Sequence, residues 1–273
     1  MSCLWSLLLA EARKQSRLKL PYLGLAAVVI MGVMWPQLSK NYTDISATLP
    51  LTGYEFVADA MTAISTSLIP VFCAIFAATL VASETSHGTM RYVLCRPISR
   101  PAFLAAKFIT GFVYAALLSA VAAVVLAGVG AVAIGYNTTR DAMLGVNVNP
   151  REFWLQFAAA CALGLVPAFA TVSFGLWLSV LFRNAGAAVG VAAGALVVME
   201  PFKYIEFWKG FTLDPYMWTS YFDPALHLVK KCAIGTPDLW NTPEMARAMI
   251  VPACWIAVFA VMSTIIMRRR DWN

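Results

Sequence analysis

From residue 21 onward the chain is a succession of long apolar runs broken by short polar punctuation. Runs of about 18 or more apolar residues match the hydrocarbon core of a bilayer when coiled as helices. They fall near 21–36, 61–83, 103–135, 153–182, 185–201 and 248–267. The runs are continuous, with no alternation of period two, so the pattern predicts spanning helices and not a barrel. The predicted fold class is therefore an all-α integral membrane protein with six transmembrane helices in a single domain, residues 1–273.

The punctuation adds detail. Leu4, Leu7, Leu8 and Glu11 share one side at helical spacing, with Arg13, Lys14 and Arg17 after them. This predicts an interfacial helix over 2–18, lying on a leaflet ahead of the first span. A signal peptide carries its charges before the apolar core, the reverse of the order here. Trp35-Pro36 predicts the stop of the first span, and Pro70 and Pro167 predict kinks in the second and fourth. Loops are expected at 37–60 and 137–152, and a tight turn at Arg183-Asn184. Between the fifth and sixth spans, residues 202–247 are aromatic yet broken by Pro215, Pro224, Pro237 and Pro243. Short broken helices dipping into the outer interface are expected there.

Composition supports the membrane reading: 60% of residues are hydrophobic, 12% are charged, and the mean hydropathy is +0.73. Charge then sets the orientation. With the N-terminus inside, the inner pieces hold 12 of the 20 Lys and Arg against Glu11, Glu84 and Asp271, a net +9; the outer pieces net −3. The positive-inside rule therefore puts both termini in the cytoplasm. The basic balance suits anionic headgroups and needs no nucleic acid. Of six cysteines only Cys232 falls outside, so no disulfide framework is expected.

Several chemistries lack their residues. No Gly-x-x-x-x-Gly-Lys-Ser/Thr loop occurs, so the chain is not expected to hydrolyse ATP or to be an enzyme. No span carries Asp, Glu, Lys or Arg near its middle, which argues against an ion-coupled carrier. His87 and His227 fall on opposite sides, leaving no metal site or cofactor expected on this chain.

The segment between the second and third spans, residues 84–102, stands out. Ser86 can cap a short helix over 86–96, and Gly88 permits a sharp entry. Met90, Val93 and Leu94 then share a face, flanked by Arg91 and Arg96, and Pro97 ends the helix. Ser99 can cap the next helix, with Arg100 and Pro101 in its first turn. Such an element is a platform on which a soluble partner can push; an ordinary inner loop is the alternative reading. In the fifth span Gly186, Gly190 and Gly194 recur every four residues, a close-packing stripe for a dimer interface or for the interior of one bundle.

Glu84, Gly88-Thr89, Leu94, Pro97, Ser99-Arg100 and Lys107 resemble the E…GT…L…P-x-SR…K signature of ABC transporter type-2 permeases. The six-span layout, the leading interfacial helix and the broken region before the last span also fit that family's plan. The resemblance implies a coupling helix at 86–96 that docks on a separate ABC ATPase, present in two copies. It also implies a second copy of the permease. ATP and magnesium would be held by the ATPase, and the assembly would sit in a bacterial inner membrane among lipids. An amphipathic or lipid-like cargo is expected. The alternatives are a non-transporting membrane anchor that recruits a soluble regulator and, with less support, an ion-coupled carrier.

Overall fold

A computed structural model describes residues 2–43, 53–88, 99–136, 150–208, 211–222 and 243–270. Helix α1, Ser2–Gln15, precedes six helices long and apolar enough to cross a membrane. These are α2 (Lys19–Thr43), α3 (Gly53–Ser86), α4 (Arg100–Ala133), α5 (Pro150–Leu181), α6 (Ala185–Phe202) and α7 (Pro243–Arg269). The fold is the expected all-α, six-span one, with a single small ribbon added among the described residues. The end carrying α1, the α3 C-terminus and Arg270 is called the basic face below.

The helices outrun the apolar stretches because polar residues at the ends continue the same backbone hydrogen bonding. The expected stop at Pro36 is not a stop: α2 continues to Thr43. Proline removes one ladder bond, and an apolar setting gives the chain no water to replace the others, so the helix resumes. Pro70, Pro167 and Pro252 likewise lie inside α3, α5 and α7. Hydroxyls cluster beside the first two. Thr66 Oγ1 and Ser67 Oγ donate to the carbonyls of Thr62 and Ala63, and Thr171 Oγ1 donates to Pro167 O at 3.0 Å.

Helices α3 and α5 form the centre, with 61% and 50% of their most apolar windows buried, against 17% for α2, α6 and α7. Their crossing is close because Gly175 has no side chain. A Cβ there would lie 2.6 Å from Ala74 O. Ala74, Ala78 and Ala82 line one stripe of α3 and belong to the same core cluster as Ala188, Ala192 and Leu196 of α6. Small residues on both sides let the two backbones approach.

The region after α6 is described only as far as Phe222. There the expected short broken helices are two 3-10 helices, Asp214–Tyr216 and Trp218–Tyr221. They are preceded by an antiparallel ribbon, β1 (Glu206–Trp208) with β2 (Phe211–Thr212), that was not expected. It also goes deeper than an interface. Trp218 is fully buried; its indole N–H donates to Thr171 Oγ1 at 3.1 Å and its ring meets Phe259 at 5.4 Å. Thr171 and Phe259 are each ten residues from the basic-face end of their helix, about 15 Å at 1.5 Å per residue. That is half of a roughly 30 Å hydrocarbon core. Irregular backbone survives at that depth because protein surrounds it, here Phe174, Trp177, Trp255 and Phe259. Trp255 adds a second tie, donating to Tyr216 O at 2.8 Å.

Candidate functional site

The basic face holds a cluster of four charges contributed by three helices. Glu84 ends the last full turn of α3, and Lys107 lies two turns into α4. Lys107 Nζ donates to Glu84 Oε1 at 2.6 Å and to Glu11 Oε1 of α1 at 2.7 Å. Lys14, one turn beyond Glu11, donates from Nζ to the same Glu84 oxygen. Lys107 is 0% exposed and Glu84 only 4%. An ammonium so enclosed needs matched partners, because desolvating an unpaired charge costs several kcal/mol. Two lysines and two glutamates make the group neutral. The Phe103 ring, 5.1 Å from Lys107 Nζ, closes its apolar side.

These contacts join the first and last residues of the 84–107 signature. Lys107, near the start of the third span, is a buried side chain within α4, and Glu84 pairs with lysines of α1 and α4. Helix α1 is more than an interfacial element, since Glu11 and Lys14 reach into the cluster while Trp5 and Leu9 remain exposed.

The entry to the segment is defined. Helix α3 runs through Ser86, whose hydroxyl donates back to Ser83 O at 3.0 Å, so Ser86 closes α3. Gly88 follows at φ +69°, the left-handed region where a side chain is strained, and its N–H donates to Thr85 O at 3.1 Å. Thr89, Met90, Arg91, Val93, Leu94, Arg96 and Pro97, and with them the body of the expected 86–96 helix, lie outside the described residues. At the exit the expectation holds: Ser99 caps α4, accepting from the Ala102 N–H at 3.4 Å, with proline in the first turn.

Arg100 has a definite job that its position in the signature did not reveal. Its Nη1 donates to Met267 O and Arg268 O, both at 3.1 Å, at the C-terminal end of α7. Such carbonyls have no partner within their own helix, and a cation there also meets the negative end of the helix dipole. Two further residues at this face were not singled out from the sequence. Arg270 Nη1 donates to Val180 O, and to Leu181 O at 3.1 Å, at the end of α5. Burial first, and then the nearby charge of Arg183, pull the Arg270 guanidinium below its ordinary pKa. Ser179 Oγ accepts from the Val81 and Ala82 N–H groups of α3 at 2.9 and 2.8 Å. A hydroxyl set against the ladder of a neighbouring helix gives no periodic signal. Arg268–Arg270 read only as positive-inside charge.

Of the two readings of the α6 glycines, the one placing them inside the bundle does not fit their surroundings. Gly186, Gly190 and Gly194 all face outward, away from α3. A Cβ at Gly190 or Gly194 would meet nothing within 4 Å, and one at Gly186 only its own capping residue Asn184. The stripe is not packed inside the bundle. Among the described residues no group of three or more His, Cys, Asp or Glu is placed to hold a metal ion.

Comparison with known proteins gives two findings. A family model described as "Protein of unknown function (DUF2705)" matches residues 24–273. The chain is also similar to the uncharacterized protein YhcI of Bacillus subtilis (strain 168): 25% identical over 233 residues, covering 84% of this chain and 72% of YhcI.

Proposed function

This chain belongs to the DUF2705 family, and on that premise we propose that it is the membrane-spanning permease subunit of an ATP-driven exporter. It works with a separate ABC ATPase, two copies per assembly, which holds the ATP and magnesium. The observation that carries the reading is the anchoring of the 84–107 segment at both ends. At its entry Glu84 is bonded to Lys107 and Lys14; at its exit Arg100 is bonded to the end of α7. A push on residues between these anchors is delivered at once to α1, α3, α4 and α7. A plain connecting loop has no need of such fixtures.

Two copies of the permease meet in this reading along the outward face of α6, where Gly186, Gly190 and Gly194 leave room for a second backbone. The cargo is amphipathic or lipid-like, in keeping with spans that bury no charge at mid-depth and an aromatic arm reaching that depth. The site of action is a bacterial inner membrane with both termini cytoplasmic, as the +9 inner charge favours.

The test is co-purification with an ATP-binding-cassette ATPase, followed by reconstitution into vesicles. ATP hydrolysis by the complex and ATP-dependent movement of labelled lipid are expected. Charged bulk at Gly88 or Met90 should leave hydrolysis running and stop movement. Stable ATPase binding with no cargo movement would favour a non-transporting anchor. Movement without any nucleotide-binding partner would end the proposal.

A further inference from the structure

The polar bonds at the basic face close into a ring. Glu84 of α3 joins Lys107 of α4. Arg100, at the start of α4, joins the last carbonyls of α7. Arg270, just past α7, joins the last carbonyls of α5. Ser179 of α5 returns to α3 through the Val81 and Ala82 N–H groups. Four helix ends are thus tied in a circuit, each link between side-chain polar groups or from a side chain to a backbone.

A second regularity lies above this collar. Pro70 is 16 residues from Ser86, Pro167 is 14 from Leu181, and Pro252 is 17 from Arg269. At 1.5 Å per residue the three prolines sit about 21–26 Å from the basic-face ends, at nearly one level. Each interrupts its own ladder with at least two further turns of helix beyond it. Helix α4 has no proline after its first turn, so it crosses that level unbroken.

We propose that collar and proline level divide the bundle into two mechanical parts. The halves of α3, α4, α5 and α7 next to the basic face move as one block. The far halves of α3, α5 and α7 pivot on it at Pro70, Pro167 and Pro252, with α4 as the continuous post. A displacement delivered at the basic face is thereby turned into a tilt at the opposite face. Arg100, Arg270 and Ser179 are positioning residues in this scheme. It holds for any driver of the basic face, so it stands or falls separately from the ATPase reading.

Hydrogen exchange of the full chain in lipid nanodiscs, with no partner added, tests it. Amides beyond the three prolines should exchange at least about tenfold faster than those on the collar side, with no step in α4 at the same depth. Alanine at any one of the three prolines should remove the step in its own helix alone. Arg270→Gln should speed exchange at 180–183 and 266–270 several-fold, whereas Arg183→Gln, no part of the collar, should not. If Arg270→Gln gives no folded protein, Arg100→Gln is read in the same way at 266–270. An equal step in α4, no step at the prolines, a step indifferent to alanine, or collar variants matching Arg183→Gln would each overturn the proposal.

Discussion

At the scale of single residues, Lys107 sets the terms. Its ammonium is wholly enclosed and held by two carboxylates from different helices. Breaking a buried pair from one side typically costs about 3–5 kcal/mol, because the partner is left charged and unmatched. Lys107→Ala is therefore expected to lower the thermal midpoint in detergent by about 10 °C. Lys107→Met combined with Glu84→Gln should recover part of that loss, since one buried charge is removed with the other. Equal losses for the single and double variants would show that the ion pair is not the source. The sequence made half of this legible. Glu84 and Lys107 stood out through the signature, while Glu11 and Lys14 read only as a helical charge pattern. Which carboxylate meets which ammonium depends on helices brought together from 70 to 96 positions apart, and no local spacing carries that.

Among the elements, the six spans and the leading helix were legible because bilayer thickness imposes a length on apolar runs. Their boundaries were less so, since nothing in hydropathy marks where a helix ends once polar residues keep its ladder going; α2 past Pro36 is the instance. The arm after α6 was misjudged in depth for a related reason. Its aromatics have the same composition whether they float at an interface or plug a bundle. Only the pairing of Trp218 with Thr171 decides it. Helix α6 supplies the prediction at this scale. Gly190→Cys, on its outward face, should form a cross-link between copies under mild oxidation in membranes, while Ala188→Cys, on the buried face, should not. Equal cross-linking at both positions, or at neither, would remove the proposed contact between copies.

The whole molecule has a shape that can be probed by depth. In a chain keeping Trp218 as its sole tryptophan, emission should be quenched most by lipids labelled near the end of the acyl chain, and least by headgroup labels. The reverse order would return the arm to the interface. The four-charge cluster also bears on how the protein is made. Glu11 and Lys14 leave the ribosome 93 or more residues ahead of Lys107, roughly 5–20 s earlier at ordinary elongation rates. Through that interval α1 waits with its charges on the membrane surface, and Glu84 arrives after Lys14 but before Lys107, the second of its two lysine partners. The third span must then enter the bilayer with an ammonium seven residues from its start. Because that ammonium ends up enclosed against Glu11 of α1 and Glu84, insertion of the third span is expected to depend on the capture of α1. A chain whose first helix is held elsewhere during synthesis is expected to stall at its third span and not at its first, as read by staged cross-linking of nascent chains.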